Sequence, residues 1–234
     1  YNGVAHYTEH LSFKGTKKRS KVALEKSIED KGAHLNAYTS REITAYYMQV
    51  LKSDLEFGID MLSDILFGSL CTDQAVESER SVIIRESQEI FSMKEELIMD
   101  VLHSVAYKNS GLGLTILGEE DNIKKMRRND IINYRTNHYT GNRIVVSAAG
   151  AVDHNELTKL TEKYFGSVAP TSFPTVSSEY TPGYQKLIYD DDTGTVAFSF
   201  EGCGWKSYNN FALLLIQQLI GEYDRSIPDT LVGG

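Results

Sequence analysis

The sequence GVAHYTEHLSF, which runs from Gly3 to Phe13, decides how the rest of the chain is interpreted. It carries His6 and His10 four positions apart, with Glu9 directly before the second histidine. On an α-helix, positions i and i+4 lie on one face, so the two imidazoles would point to one spot with Glu9 beside it. The order His-x-x-Glu-His is an inverted form of the His-Glu-x-x-His zinc motif. We therefore predict a helix here that offers two metal ligands.

These residue types suit hydrolysis at a zinc ion. Catalytic zinc is commonly held by three protein ligands, with a fourth position left open for water. The metal lowers the pKa of that water toward neutrality, and a carboxylate that is not a ligand can then take its proton. The alternative is that two histidines and a glutamate form an ordinary solvated helix face. The motif therefore needs a third ligand elsewhere in the chain.

Candidates for the third ligand lie on an acidic helix that we predict from about residue 73 to residue 91. Glu79 and Glu86 are seven positions apart, which is about two helical turns, so their carboxylates share a face. Apolar residues at 82–84 indicate that this helix packs against the protein, and a buried glutamate needs a partner such as a metal. Solvated charge paired with neighbouring arginines is the alternative. Spacing alone does not choose between Glu79 and Glu86.

The overall composition excludes several classes of protein. With 41% hydrophobic and 24% charged residues, the 234-residue chain can bury the core of one large domain or two small ones. The net charge of −8 argues against nucleic-acid binding and favours basic partners. Cys71 and Cys203 are the only cysteines and match no cysteine-based zinc spacing. No apolar run reaches the roughly 18–20 residues of a membrane span. Because the chain starts at Tyr1 and enters its motif at once, we expect a piece of a longer protein.

Hydrophobic periodicity and capping residues predict an α+β fold, with helices packed on one face of a mostly antiparallel sheet. The predicted helices cover about residues 3–13, 20–31, 54–67, 73–91, 94–107, 129–139, 153–165 and 207–221. The predicted strands cover residues 34–40, 43–51, 143–150, 184–189 and 195–203. Residues 168–183 hold three of the four prolines and form a candidate linker or surface connection.

Beyond the two motifs, the chain resembles the pitrilysin–insulysin family of inverted zincins, and within it the mitochondrial processing-peptidase branch. The likeness extends over essentially the whole chain. The segments that carry it are Gly3–His10, Phe13–Ser20, Gly32–Glu42, Val82–Glu86, Thr115–Gly118 and Asp224–Ser226.

This resemblance implies a role for each residue of the catalytic centre. His6, His10 and Glu86 would be the zinc ligands. Glu9 would be the general base, and Glu79 would be a second acid that orients the site. The resemblance therefore favours Glu86 over Glu79 as the third ligand.

The resemblance also implies a set of substrate-binding residues. Phe13 would line the pocket for the residue after the cut. The strand at residues 36–38 would pair with an extended substrate, and two acids on one helix would hold a substrate arginine. An aromatic core residue and a solvated helix face are the ordinary alternatives for these positions. The implied residues are Phe13, Asn36, Ala37, Tyr38, Glu96 and Asp100.

The function implied is that of a zinc metalloendopeptidase subunit that removes N-terminal presequences from proteins imported into mitochondria. Its partners would be a homologous alpha subunit and basic presequence peptides, and it would act in the mitochondrial matrix, either free or associated with the inner membrane. Residues 1–234 would form the N-terminal zinc-binding domain, without its first strands and without a second homologous domain. The alternatives are a core structural subunit of the respiratory cytochrome bc complex and a bacterial-type peptidase of the same family.

Overall fold

A computed structural model describes residues 2–108, 110–174, 176–188 and 192–221. It divides the chain into two compact units, Tyr1–Asp190 and Asp191–Gly234. The helices are α1 (Val4–Ser12), α2 (Lys21–Glu29), α3 (Leu55–Ser63), α4 (Asp73–Ser92), α5 (Lys94–Ala106), α6 (Glu120–Lys125), α7 (Arg128–His138), α8 (His154–Phe165) and α9 (Asn210–Ile220). Strands β1 (His34–Thr39) and β2 (Thr44–Gln49) pair in antiparallel fashion. These elements confirm the α+β fold class.

Local signals explain where the helices begin. Gly3 precedes α1 with a φ of 89°, and a Cβ atom built on it would lie 2.2 Å from the carbonyl oxygen of Leu117, so only glycine fits there. The side chains of Ser20, Thr72 and Asp153 each accept a backbone N–H at the start of α2, α4 and α8. Such caps satisfy N–H groups that the first helical turn leaves without partners. The predicted starts of these helices are therefore confirmed to within a residue.

The first core cluster joins α1 to α4 and α7. Tyr7 and Leu11 on α1 are fully buried against Val76 and Ile83 on α4. The Tyr7 hydroxyl donates a hydrogen bond of 2.5 Å to the carbonyl oxygen of Val76, and burial raises the pKa of this hydroxyl to about 12. Burying side chains of this size contributes roughly 1.5–3 kcal/mol each. This contact fixes both the position and the rotation of α1 on α4.

A second core cluster joins α2 and α3 to the β-hairpin. Leu24, Met61 and Ile65 are its buried members, and side chains of β1 and β2 such as Leu35 and Met48 pack against them. In the hairpin, His34 opposes Gln49 and Thr39 opposes Thr44. The hairpin is thereby held beside α1, and β1 and β2 each keep one edge without a partner strand in the described residues.

The strands predicted at 143–150, 184–189 and 195–203 are wrong for the residues described. No strand forms there, and Val145 and Ile188 are 89% and 94% exposed. A strand needs a neighbouring ladder to pair its backbone groups, and the space between β2 and residues 144–152 is instead an open groove of about 1040 Å³. Tyr189 lies outside the described residues. The observed sheet is therefore smaller than the sequence predicted.

Two further features were not foreseen in detail. The short helix α6 was missed, because its six residues, EDNIKK, carry almost no hydrophobic pattern. Residues 168–174 and 176–183 form no helix or strand. Hydrogen bonds hold them against the rest of the first unit, such as the bond of 2.7 Å from the Thr181 N–H to the Ala106 carbonyl.

Among the residues described, every helix is too short or too polar to cross a membrane.

The second unit contains α9, which begins three residues later than predicted and ends at Ile220. Gly221, the residue after α9, has a φ of 73°, which glycine adopts more readily than residues with a side chain. Several apolar side chains of α9 are exposed, including Phe211 at 67% and Leu219 at 78%.

A charged cluster connects the turn after α1 to the end of α3. Arg19 binds Asp60 and also Asp64, which is 3% exposed, with a distance of 2.5 Å from Nη1 to Oδ2 of Asp64. Lys18 adds a contact of 2.7 Å to Asp60, and the Thr16 hydroxyl donates to Asp64 over 2.8 Å. This network holds the chain that follows the two histidines.

We predict that Asp60→Asn lowers the free energy of unfolding by about 1–2 kcal/mol at neutral pH. Burial favours a higher pKa for Asp60, but hydrogen bonds from Lys18 and Arg19 outweigh burial and lower the pKa below its ordinary value of 3.8. The stabilisation is therefore complete above pH 3.8 and is lost as the pH falls through the lower folded-state pKa.

Urea unfolding at several pH values measures this effect. The difference between wild type and Asp60→Asn should be the same near pH 7 and pH 5 and should shrink below about pH 4. Asp30→Asn is the control, because Asp30 pairs with Lys26 only on an exposed helix face. An equal loss in both variants would contradict the prediction.

Candidate metal centre

Three of the predicted ligands converge where α1 crosses α4. Nε2 of His6 lies 3.5 Å from one carboxylate oxygen of Glu86, and Nε2 of His10 lies 3.5 Å from the other. The ligand atoms of His6, His10 and Glu86 all lie within 4.8 Å of one another. Two residues from one helix and one from another therefore meet around a single point.

The spacing of these atoms fits a shared metal ion. Two ligands with bonds of roughly 2.0–2.1 Å to a tetrahedral zinc ion lie roughly 3.3–3.5 Å apart. The observed 3.5 Å is longer than the usual hydrogen bond between nitrogen and oxygen. Nδ1 of His6 is buried without a hydrogen-bond partner in the described part of the chain, so Nε2 is the nitrogen of that ring with a polar neighbour. The donor set of two imidazoles and one carboxylate suits zinc.

The electrostatics of the cluster also favour a cation. Contact with the His10 ring, and next with the His6 ring, holds the pKa of Glu86 well below its ordinary value, so this carboxylate is ionised at neutral pH. Burial favours a lower pKa for His10, but its contacts with Glu86 and Glu79 outweigh burial and raise the pKa. Glu86 therefore carries a negative charge where the three side chains meet, and that charge favours a cation there.

Glu79 lies behind His10 rather than at the point of convergence. It is 6% exposed, and its Oε2 lies 3.1 Å from Nδ1 of His10, the ring nitrogen that faces away from Glu86. Its Oε1 lies 2.7 Å from Nζ of Lys14. Burial favours a higher pKa for Glu79, but the hydrogen bonds from Lys14 and His10 outweigh burial and lower it. The geometry thus separates two glutamates that helical spacing alone could not distinguish.

The hairpin holds the carboxylate of Glu9, which lies one position before His10 on α1. Its Oε2 accepts a hydrogen bond of 2.5 Å from the Thr39 hydroxyl, at the end of β1. Thr39 and Lys14 were both missed by the sequence reasoning. Thr39 lies 30 positions from its partner Glu9. Lys14 contacts Glu79, which lies on α4 rather than on α1. The helix pattern holds no signal for either.

The predicted substrate strand, β1, has one edge that faces away from β2. Asn36 and Tyr38 are exposed, and Ala37 between them opposes Tyr46 of β2. No other strand in the described residues pairs with β1. Phe13 lies half-buried against the second core cluster, with its ring centroid 6.2 Å from that of Tyr46. Their roles toward a substrate stay predictions.

The two predicted arginine-binding acids lie on α5, and one of them already binds an arginine. Oδ1 of Asp100 lies 2.5 Å from Nη2 of Arg41, whose Nε also donates to the carbonyl of Leu112 over 3.2 Å. Glu96, one helical turn before Asp100, is exposed. Arg41, which the sequence reasoning missed, ties the turn after β1 to α5, and the substrate role of both acids stays a prediction.

We predict that Glu86→Gln weakens zinc binding by more than about 100-fold, because the loss of a ligand should exceed the 10–100-fold typical of residues that only support ligands. Competition with a chromogenic chelator measures the affinity. Glu89→Gln, an exposed neighbour on the same helix, is the matched control and should bind zinc as the wild type does. Equal affinities for the two variants would contradict the site.

The chain is similar to known peptidases over most of its length. The chain matches two family models, described as Insulinase (Peptidase family M16) over residues 1–120 and Peptidase M16 inactive domain over residues 125–227. The mitochondrial-processing peptidase subunit beta of Lentinula edodes is 44% identical over 97% of this chain and 50% of that protein. The subunits of the same name from Saccharomyces cerevisiae and Bos taurus are both 43% identical, over 97% and 96% of this chain and 51% and 47% of those proteins.

These matches define both what is similar and how far the similarity extends. The chain spans about half the length of the curated relatives it matches. Among solved structures, a protease from Helicobacter pylori has a TM-score of 0.72 at 23% identity, covering 77% of this chain and 44% of that chain, which supports the fold. Since the insulinase model covers residues 1–120, which include both histidines and Glu86, the chain belongs to the insulinase family of peptidases.

Proposed function

We propose that the chain is the zinc-binding part of a metalloendopeptidase subunit that removes targeting presequences from proteins imported into mitochondria. The observation that carries this proposal is the convergence of His6, His10 and Glu86 at metal-ligand distances. Relatives at 43–44% identity that are named as processing-peptidase beta subunits support the substrate class. The cofactor would be Zn²⁺, because the donor set and its spacing suit that ion.

In this proposal His6, His10 and Glu86 hold the zinc ion and Glu9 moves the proton. When bound, the ion would polarise the scissile carbonyl and make a water molecule more acidic. Glu9 would take a proton from the attacking water on the carboxylate oxygen that Thr39 does not occupy, while the water oxygen bonds to the scissile carbonyl carbon. The same carboxyl then donates the proton to the leaving amide nitrogen as the C–N bond breaks. The Thr39 hydroxyl keeps Glu9 in position through both transfers.

The substrate would bind as an added strand on β1. The free edge at residues 36–38 offers backbone groups to an extended peptide, and Phe13 would contact the residue after the cut. Presequences are rich in arginine and poor in acids, so the net charge of −8 would attract them. Glu96 would meet a substrate arginine first, and the carboxylate of Asp100 would be shared between that arginine and Arg41.

The proposed partner is a homologous alpha subunit, and the proposed location is the mitochondrial matrix. The relatives are named as beta subunits of a mitochondrial-processing peptidase, which supports a partner subunit and a location in the mitochondrion. A structural role in the respiratory cytochrome bc complex has no observation of its own in its favour. The intact set of ligands with Glu9 beside it favours the peptidase.

We expect Glu9→Gln to lower kcat by about 10²–10⁴-fold, because the amide cannot accept the proton of the attacking water. KM for a presequence peptide and zinc content should stay close to the wild-type values. Steady-state cleavage by the full-length protein with its partner subunit measures the effect. Glu25→Gln on the exposed face of α2 serves as the control. Normal turnover by Glu9→Gln would refute the proposed mechanism.

We expect Glu96→Gln to raise KM on the order of tenfold for peptides that carry an arginine near the cut, with kcat unchanged. For a peptide with that arginine replaced by glutamine, the variant and the wild type should have the same KM. Glu95→Gln, next to it on the same exposed turn, is the control. If Glu96→Gln raised KM by the same factor for both peptides, the conclusion would be that Glu96 does not contact the arginine.

A further inference from the structure

We propose that Lys14 is a positioning residue of the metal centre, which holds Glu79 so that Glu79 can hold the ring of His10. The inference rests on the proposed metal site and adds a residue outside the ligand and general-base set. Lys14 follows Phe13, the C-cap residue of α1. The helix that carries both histidines therefore also determines where Lys14 lies in the structure. It is separate from Lys18 and Arg19, which bind Asp60 on α3.

The contacts form a short chain from an ammonium group to an imidazole. Nζ of Lys14 lies 2.7 Å from Oε1 of Glu79, and Oε2 of Glu79 lies 3.1 Å from Nδ1 of His10. The side chains of Lys14 and Glu79 are 26% and 8% exposed. Each oxygen of the carboxylate therefore has one specific partner. With both oxygens engaged, the plane of the carboxylate is fixed.

A fixed carboxylate determines how His10 faces the site. When Nδ1 donates its proton to Glu79, Nε2 keeps a free electron pair, and Nε2 is the atom that faces Glu86. Such partners set the tautomer and the orientation of metal-binding histidines. Without Lys14, a nearly buried carboxylate would keep an oxygen without a donor, and turning toward water would satisfy that oxygen. His10 would then lose its support.

A simple charge effect predicts the opposite result. Lys14 carries a positive charge close to a site for a cation, and like charges repel. Removing that charge should strengthen metal binding if electrostatic repulsion is all that matters. Removing it should weaken metal binding if Lys14 positions Glu79. The sign of the change in affinity therefore separates the two explanations.

The test measures zinc affinity on the complete polypeptide after removal of metal, by competition with a chromogenic chelator. We expect Lys14→Met to bind zinc about tenfold more weakly, at the lower end of the range for residues that support ligands. Lys14→Arg should recover most of the affinity, because guanidinium can still donate to Glu79. The visible spectrum of the Co²⁺-loaded protein should change in Lys14→Met, since it reports the ligand geometry, and should resemble wild type in Lys14→Arg.

Two further variants make the result specific. Lys18→Met removes the same charge from the same turn without touching Glu79, and should bind zinc as tightly as wild type or slightly more tightly. Glu79→Gln should bind zinc about 10–100-fold more weakly than wild type. Lys14→Met combined with Glu79→Gln should bind zinc no more weakly than Glu79→Gln alone, because both substitutions act through one contact. If Lys14→Met does not fold, Lys14→Gln replaces it in the same series.

Three outcomes would overturn the role of Lys14: unchanged or tighter zinc binding in Lys14→Met, no recovery in Lys14→Arg, or a double variant whose loss equals the product of the single losses. Wild-type protein that fails to bind zinc would instead refute the proposed function. Because the readouts are affinity and a spectrum, the two failures are distinguishable without any measurement of cleavage.

Discussion

The packing of α1 across α4 is the constraint on which the rest of the site depends. On α1, the buried pair Tyr7 and Leu11 lies one position after His6 and His10; on α4, Val76 and Ile83 lie three positions before Glu79 and Glu86. Each helix thus has an apolar row with a polar row beside it. When the apolar rows interlock, the polar rows must meet, and the Tyr7 hydrogen bond to Val76 fixes their rotation. The ligand geometry follows from core packing.

That arrangement places charge at the border of a hydrophobic core, and the protein compensates for it locally. Glu79 is nearly buried, yet each of its oxygens has a cationic or imidazole partner. Glu86 is more exposed and keeps two imidazoles as neighbours, with its pKa lowered by them. A buried carboxylate without such partners would strongly destabilise the fold. The two glutamates therefore differ in their partners: Glu79 is satisfied by the protein itself, and Glu86 faces the proposed metal site.

The sequence predicted the elements whose signals are local. Ser20 and Asp153 mark helix starts with their own side chains, and the alternation at residues 44–50 marks β2. The choice between Glu79 and Glu86 needs the rotation of α4 relative to α1, which no single helix encodes. The strand predicted at 143–150 is wrong because β-branched residues form a strand only beside a partner. Lys14 and Thr39 escaped notice because their partners come from elsewhere in the fold.

The contact between Thr39 and Glu9 connects the place where a peptide would align with the place where its bond would be cut. Tyr38 lies on the free edge of β1, and the next residue along the strand holds the carboxylate of the proposed base. A peptide added to that edge would be placed relative to β1, and β1 is placed relative to Glu9 by a hydrogen bond of 2.5 Å. Alignment of the substrate and orientation of the base are therefore one geometric problem rather than two. In the proposed reaction, the accuracy of the edge pairing sets how well the scissile bond meets Glu9.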